Sequence, residues 1–511
     1  MRDIDTWDLS KGVLHVPVVV RTMGGLLLFL AAALLVPALT GAYYLEMQAA
    51  LSFFTTATVA GALGGAAWWG IDDPGEDALR VREGFVIVAL AWAVLSAVGA
   101  LPFIFGGVLE SYTDAYFETI SGFTTTGATI FGGGGNMAIS AMPRAHMLWR
   151  SLAHWMGGMG IIVLTLAILP ILGVGGMQLF KAEVPGPSAD KLTPRIRETA
   201  RKLWLIYVAI TGVQIALLTP AIGLFEAVNH AFATMATGGF STQDASVAGL
   251  QSVYVEWVII VFMFLAGMNF VLHFRLLRGN VGIVAKDTEL RTYAGIVGGA
   301  ALLITVATWR PLADLHGAAF APVYEGFHEA VRVALFQVIS LVTTTGFATA
   351  DYELWPPLAI GVVFLLFFVG GMAGSTGGGV KVIRHVLLYK NSFKDLRQLV
   401  HPQAILPVRL NGSVVPDDVM RNVLSFMVCY AGLIAVGTFL LFCTGVDLLT
   451  AIGGVLSCLG NIGPGFGTLG PTENYAHLSM FAKWVLSFLM LAGRLELFTV
   501  LVLFAPTFWR P

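Results

Sequence analysis

Ser121-Gly-Phe-Thr-Thr-Thr-Gly-Ala-Thr129 lies between two strongly apolar segments and is too polar to be part of an ordinary membrane span. Its pattern returns as Ala236-Thr-Gly-Gly-Phe-Ser-Thr242, as Val342-Thr-Thr-Thr-Gly-Phe-Ala-Thr349 and, more weakly, as Gly460-Asn-Ile-Gly-Pro-Gly-Phe466. Aligned on Thr126-Gly127, Thr237-Gly238, Thr345-Gly346 and Ile462-Gly463, the glycines lie 111, 108 and 117 residues apart. Four like loops in one chain predict four-fold pseudo-symmetry about an axis. The rest of the sequence reads as what holds those loops together.

The bulk composition supplies the surroundings. Of 511 residues, 57% are hydrophobic and 12% charged, with mean hydropathy +0.80. A soluble domain carries about 25% charge, and long apolar runs with few charges read as membrane helices. This is an all-α polytopic membrane protein with no large soluble domain left over. The net charge of −2 gives no reason to expect nucleic acid as a partner; the lipid bilayer is the expected one. Cys429, Cys443 and Cys458 have no CxxC spacing and read as small buried hydrophobes rather than disulfides or metal ligands. The polar start and the length of the first apolar run do not fit a cleavable signal peptide.

Two apolar helices, over 17–45 and 47–70, form a prefix (1–82) without a Thr-Gly loop. Four units follow, at 83–180, 200–280, 290–400 and 418–511. Each has the order apolar helix, short amphipathic segment, loop, apolar helix. The short segments, Tyr112–Phe123, Leu224–Met235, Tyr324–Leu341 and Asp447–Leu459, fall below the roughly 20 residues of a crossing helix and read as re-entrant half-helices. The second helices carry Gly157-Gly-Met159, Ala266-Gly-Met268, Gly370-Gly-Met372 and Ala492-Gly-Arg494, at 32, 30, 26 and 31 residues from the loop glycines. Small residues also serve close helix packing, but that alone does not explain the Thr-Gly loops. The fold class is therefore four helix–pore loop–helix repeats around a pseudo-four-fold pore, plus two N-terminal transmembrane helices.

Lysine and arginine set the orientation. Lys181, Lys191, Arg195, Arg197, Arg201 and Lys202 lie in one link, Arg275, Arg278, Lys286 and Arg291 in the next, and Lys381, Arg384, Lys390, Lys394, Arg397 and Arg409 in the last. Glu110, Asp114, Glu226, Asp244, Asp314, Glu325, Asp351, Asp447 and Glu473 mark the opposite, outer face. Both termini are then cytoplasmic, ten spans result, and all four loops enter from outside.

Re-entrant loops around one axis can present a ring of backbone carbonyls that replaces the hydration shell of a monovalent cation. The expected filter is Thr125, Thr126 and Gly127, Thr237 and Gly238, Thr344, Thr345 and Gly346, and Asn461, Ile462 and Gly463. Glycine permits close approach and φ > 0. The short helices aim partially negative C-termini inward, and outer carboxylates concentrate cations at the mouth. No Asp or Glu stands within the loops. Sodium versus potassium does not follow from these residues alone.

The run from Gly370 to Gly379, with Gly374, Ser375, Thr376, Gly377, Gly378 and Gly379 at its core, interrupts an apolar helix at mid-membrane. Glycine costs about 1 kcal/mol against alanine in a helix, so the run breaks the helix and reads as a flexible plug below the filter. A phosphate-binding loop ending at Lys381 fails, because Gly379-Val-Lys-Val382 lacks the Gly-Lys-Ser/Thr ending. Arg494 lies mid-span, where a charge is expensive and functional. Glu496 is two residues away and does not share its helix face, so Arg494 is expected to reach the glycine run. There it would be an electrostatic barrier and a donor to the broken backbone. His146, His154, His230, His273 and His328 read as packed, hydrogen-bonded residues, Asn269 as a link between helices, and Lys483 as snorkelling near the outer interface. No HExxH or paired-carboxylate constellation is present, so the chain does not read as an enzyme.

Taken together, the four loops, the prefix, the glycine run and Ala492-Gly-Arg-Leu-Glu-Leu497 resemble the Trk/Ktr/HKT superfamily of cation transporters, and among them its bacterial TrkH branch, over essentially the whole chain. The resemblance implies a multi-pass protein of the bacterial inner membrane that takes up potassium, also rubidium and less well sodium. It implies a homodimer with a pore in each protomer and a peripheral cytoplasmic regulatory subunit of TrkA type. Nucleotide would act only through that subunit, and no cofactor is bound covalently. It further implies that Gly374–Gly379, with Lys381 and Arg494, form an intramembrane gate. Members with serine in the first loop tend toward sodium, so Gly127 points to potassium. A proton- or sodium-coupled symporter is the alternative.

Overall fold

The computed structural model describes residues 14–72, 81–132, 136–167, 192–313, 324–404 and 406–510. Lys181, Lys191, Asp314, the leader 1–12 and the continuation of the first unit's second helix past 167 lie outside the described residues.

Helices α1 (Val16–Tyr43) and α2 (Met47–Trp69) form a tight antiparallel pair. A Cβ on Gly24 would stand 2.8 Å from the Gly64 carbonyl, and one on Gly64 the same distance from that of Gly24. Small residues bring the two backbones together. Next come α3 (Val81–Gly99), α4 (Leu101–Phe105), the short α5 (Tyr112–Phe123) and α6 (Arg144–Ala167). The order long helix, short helix, loop, helix then recurs. The second set is α7 (Leu192–Ile222), α8 (Leu224–Met235) and the bent pair α9 (Val253–Ala266) and α10 (Phe270–Leu277). After α11 (Val281–Lys286) come α12 (Thr288–Thr308), α13 (Arg310–Ala313), α14 (Phe327–Val342), α15 (Pro357–Leu366) and α16 (Val382–Val400). A small hairpin, β1 (Arg409–Leu410) and β2 (Ser413–Val414), precedes α17 (Asp417–Phe442), α18 (Leu448–Gly460), α19 (Met480–Arg494) and α20 (Phe498–Leu501).

The second helices of the second and fourth sets are sharply bent, where the sequence predicts full spans. Among the described residues, six helices are long and apolar enough to cross a membrane, and two further candidates are bent pairs. Helices α9 and α10 meet at 100°, and Met480–Arg494 meets Phe498–Phe504 at 115°. Each break has a local cause. Asn269 caps α10, its side-chain oxygen accepting the Val271 N–H at 2.8 Å, so it restarts its own helix rather than linking two. Glu496 and Leu497 have φ of 56° and 59°, which ends α19. The third second helix stops at Leu366 and resumes at Val382, with the glycine run between.

The pattern of burial fits lipid outside and protein at the centre. Asp417–Phe442 is strongly apolar, yet only 22% of its most apolar stretch is buried, so this helix turns its apolar surface outward. The loops and short helices at the centre are buried, polar residues included. One large apolar cluster joins α1, α2 and the first and last sets, and another joins the second and third. The ring closes where α5 meets α19. Tyr116 stacks on Trp484 at 4.7 Å, and the Lys483 ammonium donates to Asp114 at 2.6 Å and to the Ala476 carbonyl at 2.8 Å. Lys483 therefore does not snorkel: it is 4% exposed and pairs within the protein. His146, His154, His230, His273 and His328 are all hydrogen-bonded, His146 to Pro102 and His273 to Leu265 among them. Of the cysteines only Cys458 is buried; Cys443 is exposed, because its place at the end of α17 faces outward.

Removing one member of a buried ion pair strands the other, at about 3–5 kcal/mol. Asp114→Ala is expected to lower the thermal unfolding midpoint in detergent, with Asp114→Leu/Lys483→Met recovering most of the loss. An unchanged midpoint in the single variant contradicts a part for this pair in closing the ring.

Candidate functional site

Each short helix ends in the same way. The N–H groups of Thr126, Gly238, Thr345 and Ile462 reach back five residues, to the carbonyls of Ser121, Ala233, Ser340 and Ser457, at 2.8–2.9 Å. The N–H groups of the preceding residues, Thr125, Thr237, Thr344 and Asn461, reach back three, to Gly122, Thr234, Leu341 and Cys458. These paired bonds define a Schellman ending, which requires a left-handed residue and usually takes glycine there. Here φ is 52° at Thr125, 55° at Thr237, 58° at Thr344 and 53° at Asn461. Asparagine tolerates this region; β-branched threonine does not. Three such threonines store about 1–3 kcal/mol each, and they sit at equivalent places in three loops.

These dihedrals also correct the sequence alignment of the second loop. Thr237 is the counterpart of Thr125, not of Thr126, and Gly238 takes the place of Thr126, Thr345 and Ile462. The glycine with φ > 0 is Gly239, at 80°, alongside Gly127 at 81°, Gly346 at 78° and Gly463 at 103°. The slip came from matching Thr-Gly. Pairing Gly239-Phe240 with Gly346-Phe347 gives the observed register. Gly238 is glycine for a different reason: the His154 ring occupies the space its Cβ would need.

The four glycines form a closed ring. A Cβ on Gly127 would run into the Gly238 carbonyl, one on Gly239 into that of Thr345, and one on Gly346 into that of Ile462. One on Gly463 would stand 2.8 Å from the Thr126 carbonyl oxygen. Each loop thus packs backbone to backbone on the next, in chain order, and the last returns to the first. All four glycines line one vestibule, together with Asp244, Glu473, Tyr475 and Arg150.

Side chains behind the ring fix it, and sequence reading missed most of them. Glu118 accepts from Arg150 at 2.7 Å and from the Ile130 N–H at 3.0 Å, and Arg150 also donates to the Ser241 carbonyl of the second loop. His230 bonds the Ser241 hydroxyl at 3.1 Å, and Gln337 donates to the Ala350 carbonyl at 2.7 Å. In the observed register Glu118, His230 and Gln337 stand at the same distance ahead of Gly127, Gly239 and Gly346, so equal spacing was the available signal. Gly454 holds that place in the fourth unit, and there the Ser457 and Tyr475 hydroxyls donate to the Gly463 carbonyl at 2.6 and 2.8 Å. Asn461 donates to the Thr126 hydroxyl at 3.0 Å and to the Met490 carbonyl at 2.9 Å, tying the fourth loop to the first.

The glycine run lies against the inner side of this ring. The Gly378 N–H donates to the Thr344 hydroxyl at 2.6 Å, and the Thr376 hydroxyl to the carbonyl of Met235 at 3.0 Å. A Cβ on Gly377 would stand 2.8 Å from the Thr343 carbonyl, and one on Gly378 2.6 Å from that of Gly460. The run therefore touches the ends of three short helices. Gly374 has φ of 72° and its carbonyl accepts the Phe270 N–H; Gly379 has φ of 64°; and the Ser375 hydroxyl donates to the Met372 carbonyl. Arg494, 2% exposed, donates to the Thr376 carbonyl at 2.7 Å and to that of Gly157 at 3.1 Å. Lys381 donates to the Gly377 carbonyl, while Glu496 pairs with Arg384 rather than Arg494. The expected donor to the broken backbone is thus in contact with it.

Outside the ring, the Asp244 carboxylate accepts from the Ile139 N–H at 2.7 Å and the Ser140 hydroxyl at 2.6 Å. Burial opposes its ionisation, but these bonds outweigh burial and hold its pKa below the usual range. An anion is therefore fixed at the vestibule.

Four likenesses to known proteins bear on this arrangement. The family described as "TrkH: Cation transport protein" matches residues 50–510. The chain is 42% identical over 502 residues to the Trk system potassium uptake protein TrkH of Escherichia coli K12, covering 97% of this chain and 100% of that one. It is 35% identical to the same organism's Trk system potassium uptake protein TrkG, over 97% of this chain and 99% of that one. The crystal structure of the potassium transporter TrkH from Vibrio parahaemolyticus superposes with a TM-score of 0.84 at 37% identity, covering 97% of this chain and all of that one.

Gly239→Ala places a methyl on the Thr345 carbonyl and is expected to reduce cation flux into proteoliposomes by about tenfold or more, the equivalent of 1.4 kcal/mol. Gly212→Ala, with nothing within 4 Å, serves as the control and should leave flux unchanged. Equal flux in both variants contradicts the ring.

Proposed function

The chain belongs to the TrkH family of cation transport proteins, and from that premise we propose that it takes up potassium across the bacterial inner membrane, through a carbonyl-lined filter gated from below. The observation that carries the reading is the closed ring of Gly127, Gly239, Gly346 and Gly463, each backed by the carbonyl of the next loop. Neutral oxygens in a ring replace the water lost by a large monovalent cation. The left-handed residues at the helix ends turn the backbone so that each helix terminus, partially negative, stands below the ring. Filter residues are Thr125–Gly127, Thr237–Gly239, Thr344–Gly346 and Asn461–Gly463. Rubidium follows potassium, and sodium is carried less well.

Gly374–Gly379 form the gate, with Arg494 as its electrostatic lock and Lys381 supporting the Gly377 carbonyl. A fixed guanidinium under the ring repels a cation that has shed its water, and low dielectric strengthens that repulsion. Passive conduction is favoured over proton or sodium coupling by one observation: the carboxylates near the pore are engaged. Glu118 pairs with Arg150, Glu496 with Arg384, and Glu289 accepts two backbone N–H groups. A homodimer, a cytoplasmic position for both termini, and control by a nucleotide-binding subunit of TrkA type complete the proposal on the family's likeness.

Arg494→Ala is expected to raise potassium flux in proteoliposomes, and Gly127→Ser and Gly346→Ser to narrow the preference for potassium over sodium. Unchanged flux in a folded Arg494→Ala protein contradicts the lock. Potassium flux that requires an imposed proton or sodium gradient contradicts passive conduction.

A further inference from the structure

Glu289 lies in the first turn of α12, a helix that supplies nothing to the ring itself. It is nevertheless 7% exposed, a carboxylate inside an apolar bundle. A charge placed there without partners is strongly unfavourable, so its contacts decide what it does. One oxygen, Oε1, accepts both the Ala373 N–H at 2.7 Å and the Ile383 N–H at 3.1 Å. These two donors flank the gate: Ala373 immediately precedes Gly374, and Ile383 stands in the first turn of α16, just past Lys381. Two N–H groups freed by the broken helix thus converge on a single atom from a neighbouring helix.

The base of this contact is anchored. Asp287 caps α12 by accepting the Leu290 N–H at 2.8 Å. Asn411 donates to Asp287 at 2.9 Å and accepts the Thr288 N–H at 2.9 Å. Asn411 and Gly412 form the turn of the β1–β2 hairpin, with φ of 47° and 89°, and the Asn-Gly type I′ turn is what holds the asparagine side chain in that position. Lys390 of α16 donates to the Arg409 carbonyl of the same hairpin at 2.8 Å. The hairpin therefore ties the N-terminal end of α12 to α16, and at that same end Glu289 reaches both flanks of the glycine run.

We propose that Glu289 is a positioning residue that latches both ends of the intramembrane glycine loop in its closed position. The inference rests on the reading of that loop as the gate. Displacing Gly374–Gly379 from the ring is opposed while both flanks are held at one atom, so release of the 373 and 383 amides favours opening. The latch works through hydrogen-bond acceptance, not charge. A glutamine at 289 keeps a carbonyl oxygen able to accept both N–H groups; an alanine removes it and leaves two buried donors unpaired, which is costly.

The test uses the full-length protein in proteoliposomes, with Glu289→Ala, Glu289→Gln and Arg494→Ala compared with the unaltered chain. Two quantities are read: amide hydrogen exchange in peptides covering 370–384, and potassium flux down its gradient. The expected result is at least tenfold faster exchange and raised basal flux in Glu289→Ala, with both restored toward the unaltered chain in Glu289→Gln. Unaltered exchange in Glu289→Ala overturns the latch, as does a Glu289→Gln variant as fast as the alanine. If exchange quickens but flux does not rise, Arg494→Ala separates the causes. Raised flux there overturns the Glu289 inference alone, and unchanged flux there overturns the gate reading together with the inference drawn from it. Should Glu289→Ala fail to fold, Glu289→Leu, which fills the volume without an acceptor, carries the same expectations.

Discussion

Backbone that leaves the helix at membrane depth must find its hydrogen bonds inside the protein, because hydrocarbon offers none. Among the described residues, the chain leaves the helix at four central loops, in one long glycine run and at two sharp bends. The loops meet the constraint with one device used four times, the paired back-bonds at the ends of α5, α8, α14 and α18. That device forces a left-handed residue at Thr125, Thr237, Thr344 and Asn461, and the strain is held by the surrounding packing. The glycine run is satisfied by other elements: the Gly370 N–H by Val380, the Met372 N–H by Gly267, the Ala373 N–H by Glu289 and the Gly378 N–H by Thr344. Arg494 then serves the carbonyl side, at Thr376.

The ring is four-fold in backbone and not in side chains. Two loops carry a bonded threonine pair, Thr124 with Thr126 at 2.8 Å and Thr343 with Thr345 at 2.7 Å. The second loop replaces the inner threonine with Gly238 to admit His154, and the fourth uses Asn461 to bridge to Thr126. The supports differ as well: an ion pair behind the first loop, a histidine behind the second, a glutamine behind the third and hydroxyls behind the fourth. Backbone geometry is what the four share, which suits a site that works through carbonyl oxygens and leaves its side chains free to differ.

Much of this was legible from residues alone. The short helices α5 and α8 fall where amphipathic segments too short to span were expected, and the glycine run does interrupt its helix. Arg494 reaches the run because Glu496, two residues on, points elsewhere. Other features were not legible because they depend on partners distant in sequence. The register of the second loop hinges on which of two adjacent glycines takes φ > 0: matching Thr-Gly picks Gly238, matching Gly-Phe picks Gly239, and the back-bonds decide for Gly239. Lys483 reads as interfacial until Asp114, from the first unit, is placed beside it. Asn269 and Glu496 look like intramembrane polar residues, and only the bends in the chain show the first as a helix cap and the second as the partner of Arg384. Glu289, near a basic link in the sequence, gives no sign that its side chain turns inward to two amides 84 and 94 residues on, those of Ala373 and Ile383.

The central claim is that backbone oxygens of all four loops hold the transported cation on one axis. Anomalous diffraction from crystals grown in rubidium tests it most directly. The account predicts a rubidium peak on the axis enclosed by Gly127, Gly239, Gly346 and Gly463, above the glycine run. A peak confined to the outer carboxylates, near Asp244 and Glu473, with none on the axis, would contradict it.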